Sequence, residues 1–247
     1  MTTFETEVEA NFELYFSKLP NDVSSAIDSL NSEKSKYFES YKRLISLQAW
    51  NSSIMGNDAQ PAALCFYSEA QNDALASHSL ARQGAWRVAL MSLRSSIENL
   101  LFCLYYIDHP VELRLWDEGK HKLGFTEIIN YLSKHPSFSS VDENFSGLAT
   151  LKGEYGLLSK AVHASAKSFR MTKDGTIEGL NTVSISDLGA WQTRERETIK
   201  GLNMVLIVYF QSKIAGAAHP NLRQAISYAV PTTMFPQIQS EFGVSLS

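Results

Sequence analysis

Cysteine is almost absent from this chain: Cys65 and Cys103 are the only two. A disulfide scaffold is therefore excluded, and no Cys-x-x-Cys pair or Cys/His cluster stands at zinc-ligand spacing. Both cysteines lie in apolar helical contexts and are expected as buried free thiols, which fits a reducing cytosol. Glycine and proline are sparse, at 13 and 7 residues, while 44% of the chain is hydrophobic. That composition excludes extended disorder and leaves enough apolar mass for a core. Long hydrophobic runs are missing too. Leu100–Ile107 and Met204–Phe210 are the longest strongly apolar ones, far short of the ~20 residues a spanning helix needs. The start, Met1-Thr-Thr-Phe-Glu-Thr-Glu, has no apolar signal core. A cytoplasmic protein with no membrane association is the expectation.

Basic excess is also lacking. The formal charge is −4, and residues 1–60 carry all of it, since the acidic and basic side chains of 61–247 balance. A strongly basic surface for non-specific nucleic-acid binding is not expected. No P-loop, Gly-x-Ser-x-Gly elbow, His-Glu-x-x-His or Rossmann fingerprint occurs. Nothing calls for a cofactor. Asp117, Glu118 and His121 cluster in sequence without metal-ligand spacing, so no metal site is expected.

What the chain has is helical periodicity, nearly throughout. Phe4, Val8, Phe12, Tyr15 and Leu19 predict a first helix from Thr3 to Lys18, stopped by Leu19-Pro20. One or two helices are expected over 21–53, a loop at Gly56-Asn57-Asp58, and a helix from Pro61 to Arg82. Gly84 then separates a helix over Ala85–Ile107. Short helices follow to Asp117 and over Phe125–Lys134, then a longer one over Val141–Ala164. Its Gly147, Gly153 and Gly156 mark either close helix approach or a break. Lys173-Asp174-Gly175-Thr176 predicts a small β-hairpin within 168–180. A long helix over 187–217 has an end that is apolar on every side, as a central helix does, and a short helix over Pro220–Ala229 precedes the tail. The fold class expected is all-α, a single multi-helix bundle over 1–247. Its core is 60–217, its tail 218–247, and its acidic N-terminal helices, 1–55, can serve as an interaction arm.

Two of these helices carry polar groups along the border of an apolar stripe. Leu90, Leu93, Ile97, Leu101 and Leu104 form one stripe, edged by Arg94 and Glu98. Leu148, Leu151, Leu158 and Val162 form the other, edged by Tyr155, Ser159 and His163. Packed together, they place an arginine, a carboxylate, hydroxyls and an imidazole in one cleft. Each has an ordinary structural role available: Arg94 and Glu98 are spaced i, i+4 as a surface ion pair, and His163 can cap its helix. In the functional reading Arg94 holds a phosphate, Glu98 orients Arg94, and His163 is general acid or base. Tyr155, Ser159, Lys160, Lys167 and Arg170 would then supply binding groups.

The stretch Ala89-Leu-Met-Ser-Leu-Arg94-Ser-Ser-Ile-Glu98-Asn-Leu-Leu, followed by Tyr105-Tyr-Ile-Asp-His-Pro110, resembles a pattern in bacterial all-helical proteins. So does Tyr155-Gly-Leu-Leu-Ser159-Lys-Ala-Val-His163-Ala-Ser. An Arg-x-x-x-Glu helix followed by a Ser-x-x-x-His helix is similar to members of the broad HEPN-like group (higher eukaryotes and prokaryotes nucleotide-binding). The resemblance spans about residues 60–170. It implies an all-helical fold and a role in abortive infection or toxin–antitoxin systems. The group's ribonucleases carry Arg-x-x-x-x-His on one helix, usually paired across a dimer. Here Asn99 stands five residues after Arg94, and no histidine has arginine five positions before it. Two functions follow as expectations. One is a partner-binding, regulatory or effector component of a bacterial defence or stress system, acting through a protein partner or as a homo-oligomer. The other is a metal-independent ribonuclease or nucleotide-acting toxin that uses Arg94 and His163 on RNA or a nucleotide.

Overall fold

Stripes of period 3.6 organise the chain into helices that bury those stripes on one another. The computed structural model describes residues 2–59, 61–163, 172–173, 176–177, 181, 183–216 and 218–246. Its helices are α1 (Thr3–Ser29), α2 (Lys34–Trp50), α3 (Gly56–Asp58), α4 (Pro61–Arg82), α5 (Trp86–Asp108), α6 (Pro110–Asp117), α7 (Phe125–Leu132), α8 (Leu148–Val162), α9 (Ile185–Tyr209), α10 (Gln211–Ile214), α11 (Pro220–Ala229) and α12 (Phe235–Phe242). The class is all-α, as the periodicity predicts. Thr172–Lys173 pairs antiparallel with Thr176–Ile177. The other residues of the expected hairpin lie outside the described ones.

The helical hairpin of α4 and α5, turned at Gly84 with φ +73°, is the scaffold. Every stripe residue of α5 is buried, from Leu90 to Leu104. The α9 helix packs across α2, α5 and α8, and its residues 201–208 are all buried, as expected for a segment apolar on every side. Polar contacts that reach across the core fix how the helices register. Trp50 donates to Asn203 Oδ1 (3.0 Å), Asn203 to Ser46 Oγ (2.8 Å), and Trp191 to Ser77 Oγ (3.0 Å). Each satisfies a donor that would otherwise be buried unpaired.

Several boundaries differ from the sequence reading. The first helix does not stop at Pro20 but runs on to Ser29. Proline removes one hydrogen bond and frees the Phe16 carbonyl, but α1 is exposed there, so that carbonyl is open to solvent rather than buried unpaired. Gly56–Asp58 is no loop, because a π-helical turn at Asn51–Met55 carries α2 into α3. The Val141–Ala164 helix is shorter at its start. Gly147, at φ +88°, forms the N-cap, and α8 begins at Leu148. A Cβ on Gly147 would sit 2.7 Å from the Gly201 carbonyl oxygen and 2.9 Å from Met204 Cβ, so this glycine does permit close approach of α8 to α9. A Cβ on Gly153 or Gly156 would meet nothing within 4 Å, so these two serve no such contact. Cys103 is buried, but Cys65 is exposed, because it faces out from the first turns of α4. Among the described residues, no helix is long and apolar enough to cross a membrane.

The most consequential departure is α1. Only Ala26 is buried along its 27 residues, with Leu30 just beyond it. At 100° per residue, Phe4, Val8, Phe12, Tyr15, Phe16 and Leu19 share the face of Ala26 and Leu30. That face meets the body in its last turns and then continues for about five more with nothing opposite it. Phe4 is 72% exposed and Phe16 63%.

Candidate functional site

The α5 and α8 stripes do pack on each other, and four of the polar edge residues meet. The guanidinium of Arg94 donates from Nε to Ser159 Oγ (3.0 Å), from Nη1 to Glu98 Oε2 (2.8 Å) and from Nη2 to Glu98 Oε1 (3.1 Å). Nη2 also donates to the Tyr155 hydroxyl, which itself donates to Glu98 Oε1 at 2.7 Å. Ser159 passes its own hydrogen to the Tyr155 carbonyl (2.7 Å). The Arg94 guanidinium lies 4.4 Å from the centre of the Tyr155 ring, and Phe125 stacks on that ring at 3.6 Å and 6°. Arginine, tyrosine and phenylalanine therefore form one layered stack.

This arrangement is electrostatically closed. The Glu98 carboxylate forks onto Arg94 and cancels its charge, and four of the five guanidinium N–H groups are committed within the cluster. Burial, with Glu98 beside it, pushes the Tyr155 phenol up to about 12, so it stays a neutral donor. An incoming phosphate would have to displace Glu98 to engage Arg94. What the geometry does directly is clasp α5 to α8.

His163 does not join them. It is the exposed C-cap of α8, and its backbone N–H bonds to the Ser159 carbonyl at 3.1 Å. Arg87 instead closes this end of the helix, donating to the carbonyls of Ala161 (2.9 Å) and Val162 (3.3 Å). Among the described residues no hydrogen bond or ion pair links the His163 imidazole to Arg94 or Glu98. Lys160 is exposed, and Lys167 and Arg170 lie outside the described residues.

Sequence reasoning missed two further polar clusters. Asp108, at the end of α5, accepts hydrogen bonds from Tyr131 (2.8 Å) and Tyr209 (2.8 Å), and His135 Nε2 lies 3.5 Å from it. His135 Nδ1 accepts from the Ser137 backbone N–H at 3.2 Å. The second cluster is buried. Arg43 donates to Glu195 Oε2 from Nε at 2.9 Å and also from Nη2, while Ser40 bonds to His78 Nδ1 at 3.0 Å. Burial raises the Glu195 carboxyl to about 7 against the pull of Arg43. Its Oε1 and the Thr198 hydroxyl have no partner among the described residues. The sequence signal for this pair was only a charge on each of two apolar helices, 152 residues apart.

A cleft of about 460 Å³ opens beside Cys65, with Leu113, Arg114, Trp116 and Asp117 in its wall; none of the sequence candidates lines it. Among the described residues no three His, Cys, Asp or Glu side chains group to hold a metal. The exposed α1 face is thus the surface whose chemistry the rest of the chain leaves unanswered. Compared with models of protein families, with curated proteins and with solved structures, the chain finds no match in any of the three, and its function is read from this geometry.

Proposed function

We propose that this chain is a partner-binding helical module whose docking element is α1. On the resemblance of its Arg94 and Ser159 helices, we place it as a regulatory or effector component of a bacterial defence or stress system. The observation that carries the docking role is the face of α1. Six large apolar side chains, Phe4 to Leu19, line one side of a helix anchored to the body only at its end. Stray exposed apolar residues are ordinary, but a continuous stripe of this length marks an interaction surface. The arm is also acidic, with Glu5, Glu7, Glu9, Glu13, Asp22 and Asp28 against Lys18. An interfacial membrane helix carries a basic polar face, so the stripe suits a protein.

The test is a triple variant, Phe4→Ser, Phe12→Ser and Phe16→Ser, compared with the wild-type chain. These side chains touch none of the core, so the melting temperature is expected to be unchanged. Stoichiometric association with a second polypeptide, whether another protein or another copy, is expected for wild type and lost in the variant. Wild-type protein that stays single and partnerless when expressed in a bacterial host overturns the reading.

The convergence of Arg94, Glu98, Tyr155 and Ser159 supports a second reading, a metal-independent ribonuclease or nucleotide-acting toxin. It requires Glu98 to release Arg94 and His163 to swing toward it. Total bacterial RNA, incubated with and without magnesium, is expected to remain intact under the docking proposal. Cleavage that folded Arg94→Ala and His163→Ala variants both lose would establish the enzyme instead.

A further inference from the structure

The chain carries a surface that matches its own arm. On α2, Phe38, Tyr41 and Ile45 lie on one exposed face, extended by Leu75 of α4 and Tyr228 of α11. A groove of about 140 Å³ runs between α2 and α4, bordered by Tyr41, Ile45, Gln48, Gln71 and Leu75. On the same helix Lys34 is exposed, and the Lys42 ammonium, paired with Glu39 at 2.7 Å, stands 5.3 Å from the Phe38 ring centre and 5.8 Å from that of Tyr228.

We propose that α1 of one copy of this chain docks on the α2–α4 groove of a second copy, and that the exchange is reciprocal. The inference rests on the reading of α1 as a docking arm and names its occupant.

Charge selects the groove over the other self-pairing available. Two α1 helices laid together would set six acidic side chains and one lysine against the same set, an arrangement that opposes itself. The outer side of α2 leans the other way, with Lys34, Lys36 and Lys42 against Glu39 and the adjoining Glu33, Arg43 being buried against Glu195. The chain's own arm cannot fill its own groove, because α1 is one continuous helix to Ser29 and its stripe is exposed.

Area is sufficient. With four aromatic rings mostly exposed, each arm presents on the order of 500 Å² of apolar side chain. Counting both arms and the surfaces they cover, a reciprocal exchange buries roughly 2000 Å², the range of stable specific interfaces. Reciprocity also closes the assembly as a two-fold dimer and leaves no free arm to propagate a filament.

The experiment is sedimentation equilibrium on the full chain, an arm variant (Phe12→Ser, Phe16→Ser) and a groove variant (Ile45→Glu, Leu75→Glu). All substituted side chains are exposed, and unchanged circular dichroism and melting confirm the fold. A dimer is expected for wild type, with self-association weakened about a hundred-fold or more in each variant. An equimolar mixture of the two variants is expected to recover a heterodimer, because an intact arm then meets an intact groove once per pair. Dimerisation lost in the arm variant but kept in the groove variant overturns the groove as occupant and leaves α1–α1 pairing. A monomeric wild type overturns the second copy altogether, whereas the docking-arm reading fails only if α1 also has no stripe-dependent foreign partner.

Discussion

Tyr155 and Glu98 are joined across two helices by a 2.7 Å hydrogen bond, the phenol donating to Oε1. The same phenol accepts from Arg94, so one hydroxyl closes a ring of three side chains. Tyr155→Phe removes that hydroxyl while keeping the stack on Phe125. A loss of about 1.5–3 kcal/mol is expected, the scale of a hydrogen bond to a charged group, read from urea unfolding. Arg94→Ala is expected to cost more, since Glu98 is then left without its cation.

Two glycines near the start of α8 are expected to respond in opposite directions. Gly147→Ala puts a methyl against the Gly201 carbonyl at a backbone angle of φ +88°, and a destabilisation of about 2–4 kcal/mol is expected. Gly153→Ala meets nothing within 4 Å and removes a flexible residue from a helix interior, so a gain of about 0.5–1 kcal/mol is expected. Thermal melts of the two variants beside wild type check both signs.

The buried Glu195 makes stability depend on pH in an unusual sense for a carboxylate. Its pKa is raised by burial to about 7, above its unfolded value near 4.5, so between those limits the folded state holds more protons than the unfolded one. Its contribution is therefore present in acid and lost as pH rises from about 4.5 to 7. His78, whose pKa burial lowers, acts oppositely below about 6.5. The difference in stability between wild type and Glu195→Gln across this range isolates the glutamate. Wild type is expected to lose stability relative to the variant as pH rises. A difference that grows in the other direction would mean that Arg43 keeps Glu195 ionised throughout.

The two thiols are expected to differ sharply in access. Cys65 is exposed, whereas Cys103 is buried and its thiol is pushed up to about 12 by that burial. A disulfide reagent at neutral pH is expected to titrate one thiol per native chain and two in denaturant. Two reacting at the same rate in native buffer would show that α5 opens readily.

Much of the architecture was legible in the chain as written. Period-3.6 stripes on α1, α5 and α8 located those helices, because a helix with an apolar face records it locally in residue spacing. Even the convergence of Arg94, Glu98, Tyr155 and Ser159 followed from stripe edges, since a polar group at the border of a buried face lands at a helix–helix seam. The placement of His163 did not follow. Periodicity gives an angle about the helix axis but no axial offset between neighbouring helices, and that offset puts Arg87, not Arg94, beside the end of α8.

Residue spacing and composition alone specify the all-helical class, the stripe on α1 and the acidity that accompanies it. That this stripe has no partner among the described residues emerges from the packing of the other helices. Leu19 and Leu30 look alike in sequence, each an apolar residue on the same face of one helix. Leu30 is buried and Leu19 exposed because the body ends between them, and where a body ends is set by all the other helices together. The buried meeting of Arg43 with Glu195 has the same origin. No local pattern announces it, since two charges 152 residues apart become neighbours only when α2 and α9 pack.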